Sequence, residues 1–319
     1  MDERTQTWFD RRTSHWQDWP TDRLLDEKQR LGVTITVVIP ARNEQQTVAS
    51  VVGSIAHTLV GRVPLVDELI VMDSDSTDGT ADAAARAGAV VYRAAEVMPS
   101  AGTFHGKGEA LWKSLLVSKG DLLVFVDADL TRWGPHFVTG LLGPLLDDER
   151  VQLVKGFYIR VRTESDGSAS TEGGRVTELV ARPLISLWWP ELAGVVQPLA
   201  GEWAARRTLM ESLSIPVGYG VELATLMDTA SAYGLDAIAQ VDLGTRAHRH
   251  QANHDLALMA AELLMVAERR RRVPGQATTA NPAAPDLQQF VRDAHGRART
   301  VNRPIPVTER PPAASVRHR

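Results

Sequence analysis

Residues 122–129 decide the class of fold, and they run Leu122-Leu123-Val124-Phe125-Val126-Asp127-Ala128-Asp129. The first five residues are all apolar, as in a strand that is buried on both faces of a sheet. Such strands are typical of parallel sheets with helices packed on both sides. Because side chains alternate along a strand, Asp127 and Asp129 are expected to share one face at its carboxyl end.

Similar apolar segments alternate with amphipathic ones through the first half of the chain. We expect further strands at residues 33–39, where Pro40 ends the strand, and at residues 69–72 and 89–92. Helices are expected at residues 44–59, at residues 77–87 with Thr77 near the N-cap, and at residues 108–118. This alternation predicts an α/β fold with a mostly parallel central sheet flanked by helices.

The second half is less regular and predicts a smaller α+β unit. We expect strands at residues 151–162 and 237–241, a polar loop at 164–174, and helices at 175–187, 201–212 and 221–233. From residue 274 onward Pro, Ala, Thr and Arg dominate, which predicts an extended or disordered tail. The expected division is an N-terminal extension (1–32), a Rossmann-like half (33–150), a second half (151–273) and the tail (274–319).

Composition narrows the class of protein. The chain has 319 residues, of which 44% are hydrophobic and 23% charged, as in ordinary globular proteins. Its net charge of −4 gives no hint of a nucleic-acid partner, and the basic run at 269–272 reads as a solvated helix end. The absence of cysteine excludes disulfides and thiolate chemistry. With no apolar leader or bilayer-length segment, we expect a cytoplasmic protein without a membrane partner.

Four polar loops are expected at one edge of the sheet, because ligands of open α/β sheets bind beyond the carboxyl ends of the strands. These loops are residues 40–44, 73–78, 98–107 and 127–129. The edge that they form is therefore the expected site.

The second of these loops, Asp73-Ser74-Asp75-Ser76-Thr77-Asp78-Gly79, resembles a calcium loop only superficially. An EF-hand loop needs glycine at its sixth position and glutamate at its twelfth, and here these positions hold Asp78 and Ala84. Two interpretations stay open. The loop caps the next helix, or its short polar side chains contact a nucleotide.

The third loop contains Gly102-Thr103-Phe104-His105-Gly106-Lys107-Gly108, which is not a Walker A loop. The glycine spacing is one residue short, and Gly108 replaces the hydroxyl residue that should follow the lysine. Lys107 before a helix nevertheless suits a diphosphate, through its ammonium group and the positive helix terminus. The alternative is an ordinary solvated lysine.

The carboxylates of Asp127 and Asp129 are hard oxygen donors suited to Mg²⁺ or Mn²⁺ bound to a diphosphate. The alternative is that they cap the segment after the strand. His248 and His250 follow a later strand, and the span from His250 to His254 lacks the glutamate of a zincin. These histidines are structural unless Asp129 already provides a metal site.

Taken in order, these segments resemble GT-A glycosyltransferases. The first strings are Val38-Ile39-Pro40-Ala41-Arg42-Asn43-Glu44 and Asp67-Glu68-Leu69-Ile70-Val71-Met72-Asp73-Ser74-Asp75-Ser76-Thr77-Asp78. Longer strings are similar to actinobacterial glucosyl-3-phosphoglycerate synthases, and these are Gly106-Lys107-Gly108-Glu109-Ala110-Leu111-Trp112, Gly174-Arg175-Val176-Thr177-Glu178-Leu179-Val180-Ala181-Arg182-Pro183 and Gly218-Tyr219-Gly220-Val221-Glu222. The resemblance extends over about residues 33–250.

The resemblance implies retaining transfer of glucose from UDP-glucose to the 2-hydroxyl of 3-phosphoglycerate, with Mg²⁺ or Mn²⁺, by a homodimer. It implies a nucleotide-sugar site made of Pro40, Ala41, Arg42, Glu44, Ser74, Lys107, Asp127, Ala128, Asp129, Tyr219 and Glu222. The acceptor site that it implies consists of Gly174, Arg175, Val176, Thr177 and His250. Asp129 and His248 would bind the metal, and Asp127, Glu222 and Lys107 would be catalytic.

Three positions depart from the pattern expected of mycobacterial members, namely Arg42, Ala128 and His250. Because Arg42 borders the expected donor pocket, the alternative function is a mannosyl-3-phosphoglycerate synthase that uses GDP-mannose. Retention is expected through front-face attack, and a covalent carboxylate intermediate stays open.

Three other classes of protein are disfavoured. A transferase acting on a lipid phosphate would need membrane-anchoring segments, and a pyrophosphorylase would need a glycine-rich loop where residues 40–44 have no glycine. A catalytically inactive nucleotide-sugar-binding protein would have lost its metal ligands, whereas Asp127, Asp129 and His248 are all present.

Overall fold

The structure, a computed structural model, describes residues 2–160, 162–163, 169–170, 174–246, 253–271, 286–292 and 297–317. The strands are β1 (Thr13–His15), β2 (Ile35–Ala41), β3 (Glu68–Asp73), β4 (Val90–Arg93), β5 (Leu122–Phe125), β6 (Leu153–Arg160), β7 (Arg162–Thr163), β8 (Ala169–Ser170), β9 (Trp203–Arg206), β10 (Ile215–Pro216), β11 (Ile238–Arg246), β12 (Asp286–Arg292), β13 (Ala298–Pro304) and β14 (Glu309–Arg310). The helices are α1 (Glu3–Arg12), α2 (Thr21–Leu31), α3 (Val48–Ile55), α4 (Thr80–Arg86), α5 (Lys107–Val117), α6 (His136–Asp147), α7 (Arg182–Trp188), α8 (Arg207–Ser212), α9 (Val221–Tyr233), α10 (Asn253–Arg271) and α11 (Ala314–Arg317).

Eight strands form the central sheet in the order β1-β11-β6-β9-β5-β2-β3-β4. β9 is antiparallel to both of its neighbours, β5 and β6, and every other adjacent pair is parallel. Seven strands therefore share one direction, and their carboxyl ends meet at one edge. The prediction of a mostly parallel central sheet is confirmed.

The strand β5 is buried on both faces, as its sequence predicts. Val124 and Val126 pack into an apolar cluster with residues of α3 and α6 on one side of the sheet. Leu123 and Phe125 pack into a second cluster with residues of α5 and α9 on the other side. Burial of apolar surface in two layers provides the main stabilisation of such a sheet. It also fixes the direction in which Asp127 and Asp129 leave the strand.

Two predicted element boundaries differ near the site. β2 continues through Pro40 to Ala41 rather than ending at Pro40. Because the ladder with β5 ends at Val38, Pro40 has a neighbouring strand only on its β3 side. The missing N–H of proline therefore need not break a ladder hydrogen bond. The helix predicted at residues 77–87 begins later, at Thr80, after Gly79 as its N-cap residue.

The predicted helix at residues 201–212 is wrong in its first half, because Trp203–Arg206 form β9 and only Arg207–Ser212 are helical. The side chain of Trp203 is fully buried and stacks beside Phe125 of β5 at a ring separation of 4.2 Å. Pairing with two neighbouring strands outweighs the local helical preference of this alanine-containing segment.

Both ends of the chain contribute to the fold. In the predicted N-terminal extension, β1 pairs in parallel with β11 at the edge of the sheet. In the predicted tail, β12 and β13 pair antiparallel, and β14 pairs with β10. The prediction of an extended or disordered tail is therefore corrected for residues 286–292, 298–304 and 309–317, because composition does not reveal which strand or surface a polar segment pairs with. Among the described ranges, no helix is long and apolar enough to cross a membrane.

Candidate active site

A cavity of about 290 Å³ opens at the carboxyl edge of the sheet. This volume lies near the lower end of the range for small-molecule sites. Its lining residues are Pro40, Ala41, Arg42, Glu44, Ser74, Gly106, Lys107, Asp127, Ala128, Asp129, Leu199, Gly201, Tyr219, Glu222, Arg246, Met259 and Leu263. The structure thus brings all eleven predicted nucleotide-sugar residues to one cavity.

Lys107 lies at the centre of the charged groups in this cavity. Its Nζ is 2.6 Å from Asp127 Oδ1 and 2.8 Å from Glu222 Oε1. Burial lowers the pKa of Lys107, but the charges of Asp127 and Glu222 outweigh burial and raise it above its usual range. The solvated-lysine alternative does not describe this side chain. Lys107 is a permanent cation that links two carboxylates.

The glycines beside Lys107 allow its backbone to pack closely against residues 216–218. A Cβ at Gly106 would lie 2.3 Å from the carbonyl oxygen of Val217, and a Cβ at Gly108 would lie 1.7 Å from that of Pro216. The Gly108 N–H donates to the carbonyl oxygen of Gly218 at 3.1 Å. Side chains at these positions would displace the start of α5. The spacing of the glycines therefore serves a backbone contact that positions Lys107.

Arg246, the last residue of β11, holds Asp127 from the opposite side. Its guanidinium donates to Asp127 Oδ2 at 2.8 Å and to Glu202 Oε2 at 2.9 Å, and it also contacts the Tyr158 hydroxyl. Burial raises the pKa of Asp127, but Lys107 and Arg246 together lower it well below its usual range. Each oxygen of Asp127 therefore has its own cation, which fixes the orientation of an ionised carboxylate.

Asp129 differs electrostatically from Asp127. Burial and the nearby charge of Asp127 raise the pKa of Asp129, although Arg246 opposes this effect. The distance from Asp129 Oδ1 to the Arg246 guanidinium is 3.6 Å, longer than a direct hydrogen bond. A divalent cation would relieve the repulsion between the two carboxylates. The chemistry of Asp129 therefore fits a metal ligand, whereas Asp127 is already neutralised by two side chains.

The other residues predicted for the metal and the acceptor do not line this cavity or lie outside the described residues. Among the described residues, no group of three His, Asp or Glu side chains forms a metal site. His248 and His250 belong to residues 247–252, which are outside the described part of the chain. Val176 and Thr177 are buried at the start of the helical segment that leads into α7, and the four residues 174–177 are not part of the cavity lining.

The polar loop after β3 caps the next helix, as one of its two interpretations predicts, and its contact with a nucleotide stays a prediction. The Asp78 carboxylate accepts from the Thr80 N–H at 3.1 Å at the start of α4. The Asn43 Oδ1 accepts from the Thr77 N–H at 2.9 Å, so this loop is tied to the one after β2. Ser74 meanwhile lines the cavity. Capping and tying of the two loops rigidify the wall in which Ser74 lies.

Sequence reasoning gave no role to several lining residues. Gly201 is close to Asp127, since a Cβ at Gly201 would lie 2.2 Å from Asp127 Oδ2. Arg246 was missed because the strand was expected to end at residue 241, whereas β11 reaches Arg246 through an irregularity after Asp242. An arginine five residues beyond the expected end of this strand gave only a weak indication that it lines the site. Met259 and Leu263 of α10 carry no such signal.

The pattern that defines Glycosyl transferase family 2 matches residues 36–192. This range covers β2 from its second residue onward, the strands β3 to β6 and the Asp127-Ala128-Asp129 segment. The fold and the cavity thus define the class of protein, a glycosyltransferase with a GT-A fold.

Relatives of known activity match almost the whole chain. The glucosyl-3-phosphoglycerate synthase of Mycobacterium tuberculosis (strain ATCC 25618 / H37Rv) is 44% identical over 313 residues, covering 96% of this chain and 93% of that protein. The synthase of Petrotoga mobilis is 40% identical over 293 residues, covering 92% and 90%. The chain belongs to the glucosyl-3-phosphoglycerate synthase family.

Solved structures agree with this assignment. The M. tuberculosis synthase in complex with Mn²⁺ and UDP-glucose superposes with a TM-score of 0.81 at 43% identity, covering 93% of this chain and 95% of that one. The complex of the same enzyme with Mn²⁺, UDP and glucosyl-3-phosphoglycerate gives a TM-score of 0.81 and covers 93% and 96%. Both complexes contain Mn²⁺ and a uridine nucleotide; the first holds the sugar donor and the second holds the glucosylated product.

Proposed function

We propose that this protein transfers glucose from UDP-glucose to the 2-hydroxyl of 3-phosphoglycerate, with retention of configuration, to give glucosyl-3-phosphoglycerate. The observation that supports the proposal is the cavity, whose lining includes the eleven residues that were predicted to bind a nucleotide sugar. Relatives that bear this activity as their name align over more than nine-tenths of the chain.

Lys107 and Arg246 provide positive charge on either side of Asp127. In the proposed reaction, Lys107 faces the diphosphate, whose negative charge increases as the bond to the sugar breaks. Asp127 and Glu222 hold the ammonium of Lys107 in place and accept hydrogen bonds from the sugar. Tyr219 and Ser74 complete the walls around the donor.

Asp129 and His248 would bind Mg²⁺ or Mn²⁺. The metal, when bound, neutralises charge on the diphosphate and makes the nucleoside diphosphate a better leaving group. Asp129 suits this task because its carboxylate faces the cavity and carries less compensating charge than Asp127. Asp127 is instead proposed to keep the Asp129 carboxylate in position for the metal.

The acceptor is assigned to Gly174, Arg175, Val176, Thr177 and His250. Residues 175 and 176 begin the helical segment that continues into α7. A helix start beside a guanidinium is chemically suited to the phosphate of 3-phosphoglycerate, because backbone N–H groups and a fixed cation both stabilise an anion. This assignment rests on the family resemblance of that segment.

Retention is assigned to front-face attack. Glu222, one of the carboxylates that line the cavity, is in an ion pair with Lys107 at 2.8 Å and is therefore a weak nucleophile. The acceptor hydroxyl attacks from the side of the leaving diphosphate, and its proton passes to a diphosphate oxygen. Mass spectrometry of the enzyme quenched during turnover tests this step. A glucosyl adduct on Glu222, or on any other residue, would contradict front-face attack.

The enzyme is proposed to act as a homodimer in the cytoplasm, as the family resemblance implies. Sedimentation of the purified chain tests the assembly. A monomer at working concentration would contradict the proposed dimer.

A donor panel tests the function itself. UDP-glucose, GDP-glucose and GDP-mannose are each incubated with 3-phosphoglycerate and Mn²⁺, and release of the nucleoside diphosphate is measured. We expect rapid turnover with UDP-glucose only, and none when 3-phosphoglycerate is omitted. Preference for GDP-mannose would point instead to mannosyl transfer, with Arg42 as the first residue to replace.

A further inference from the structure

The end of the chain returns to the back of the loop that carries Lys107. β14 pairs with β10 so that Arg310 lies opposite Ile215. The Val217 N–H, just after β10, donates to the carbonyl oxygen of Thr308 at 3.1 Å. Since residues 216–218 form the backbone against which Gly106 and Gly108 pack, the end of the chain supports the surface on which Lys107 is mounted.

Arg310 also reaches the loop directly. Its Nε and Nη2 donate to the two carboxylate oxygens of Glu109 at 2.7 and 2.6 Å. Its other hydrogen bonds go to the carbonyl oxygens of Ala101 at 2.7 Å and Gly102 at 2.9 Å. The bidentate geometry fixes the guanidinium in one plane. One side chain thus joins the first turn of α5 to the loop that precedes it.

Aromatic rings enclose this guanidinium. Its carbon lies 4.6 Å from the ring centre of Phe104 and 4.8 Å from that of Trp112. The indole N–H of Trp112 donates to the carbonyl oxygen of Pro311 at 2.7 Å. Only 6% of Arg310 and 1% of Glu109 is exposed, so their interaction is poorly screened by solvent.

A second buried cation holds the same loop. Lys113 Nζ donates to the carbonyl oxygens of Ala94 at 2.8 Å and Gly102 at 2.9 Å, and lies 3.6 Å from Glu109. The Gly102 carbonyl therefore accepts from both Lys113 and Arg310. Removing Arg310 would leave Glu109 with a longer and weaker partner in a buried site.

We propose that Arg310 is a positioning residue for Lys107 and that the C-terminal segment 308–311 is part of the machinery for diphosphate binding. Glu109 is two residues beyond Lys107 on the first turn of α5, and Ala101 and Gly102 precede Lys107 in the loop. Arg310 holds both sides of this turn, so it sets the point at which the Lys107 ammonium enters the cavity. The choice of nucleotide in the test rests on the proposed function.

The test compares Arg310 with Arg317, a second arginine that lies near the end of the chain but outside the segment 308–311. Arg310→Met removes the contact with the loop. Arg317→Met is the matched control, because Arg317 contacts the far end of α5 at the Leu115 and Ser118 carbonyl oxygens. The dissociation constant of UDP with Mn²⁺ is measured by calorimetry, the KM of each substrate by initial rates, and exchange of amide hydrogens at residues 98–108 by mass spectrometry.

We expect Arg310→Met to weaken UDP binding about tenfold, to speed exchange at residues 98–108, and to leave the KM for 3-phosphoglycerate within about twofold. Arg317→Met should change UDP binding by less than about twofold. Arg310→Lys, which keeps a cation but loses the planar fork, should lie between the wild type and Arg310→Met. It also provides the decisive comparison if Arg310→Met does not fold.

Other outcomes separate the two proposals. Unchanged UDP affinity and unchanged exchange in a folded Arg310 variant would overturn the positioning role. Equal weakening by the Arg310 and Arg317 variants would also overturn it, because general loss of stability near the end of the chain would then explain both effects. If the wild-type chain itself did not bind UDP, the proposed function would fail, and amide exchange at residues 98–108 would still decide the role of Arg310.

Discussion

The guanidinium of Arg246 lies 2.8 Å from Asp127, on the side of the carboxylate away from Lys107. This contact joins the end of β11 to the end of β5 across two intervening strands. The same guanidinium neutralises Glu202, which is fully buried. The orientation of Asp127 therefore depends on residues far from it in sequence.

Replacement of Arg246 by Met is expected to lower kcat by about 100-fold, because Asp127 loses one of its two cations. Stability should also fall by about 3–5 kcal/mol, since Glu202 is left as a buried charge without its partner. Initial rates and urea denaturation measure the two effects. Arg23→Met, at an exposed ion pair with Asp147, is the control. A variant with wild-type kcat would show that Arg246 does not orient the site.

Replacing Asp127 or Asp129 by asparagine should have opposite effects on thermal stability at pH 7 in the absence of metal. The pKa of Asp129 is raised, so folding disfavours its charge, and Asp129→Asn should be at least as thermally stable as the wild type. The pKa of Asp127 is lowered by Lys107 and Arg246, so Asp127→Asn should be less stable. Thermal melts measure both.

Metal binding provides the second half of that comparison. Mn²⁺ should raise the melting temperature of the wild type but not that of Asp129→Asn, because only the native state of the wild type binds the ion. An equal Mn²⁺-induced shift in the Asn variant would rule out Asp129 as a metal ligand.

The close packing of Gly201 against Asp127 predicts that adding a single methyl group at Gly201 lowers activity. Gly201→Ala would place a Cβ 2.2 Å from Asp127 Oδ2, so the carboxylate must move. We expect kcat to fall by about 100-fold in a folded protein. Gly53→Ala is the control, because a Cβ there meets nothing within 4 Å in α3, and it should stabilise the protein by about 0.5–1 kcal/mol. Retained activity in Gly201→Ala would contradict the close packing.

Glu262 on α10 predicts a pH effect on stability. Its carboxylate accepts from the Tyr219 N–H at 2.6 Å, and burial raises its pKa from 4.5 to about 7. The folded state therefore binds this proton more tightly than the unfolded state does. The contribution of Glu262 to the free energy of unfolding should fall as pH rises from about 4.5 to about 7 and then level off.

Glu262→Gln should remove this slope, so the variant gains stability relative to the wild type at pH 8 but not at pH 4.5. Urea denaturation at several pH values measures the difference. Glu268→Gln, on the more exposed end of the same helix, is the control. Parallel pH profiles for the wild type and Glu262→Gln would refute the assignment.

The local sequence is sufficient to predict most strands of the central sheet. The apolar run at residues 122–126 and the alternation of β-branched segments with helical ones depend on burial periodicity, which is readable along the chain. β9 was not predictable in this way, because it forms through pairing with β5 and β6 rather than through its own pattern. For the same reason the docking of Arg310 onto Glu109, 201 residues away in sequence, was not visible.

The sequence by itself determined the α/β architecture, the sheet edge that carries the site and the residues expected around a nucleotide sugar. These features follow from patterns within short segments and from strings shared with a family. Only the tertiary structure decided the different electrostatic states of Asp127 and Asp129, the part of Arg246 and the return of the chain end to the Lys107 loop. Each of these depends on distances between segments remote in sequence, and charge interactions in a buried site change with those distances.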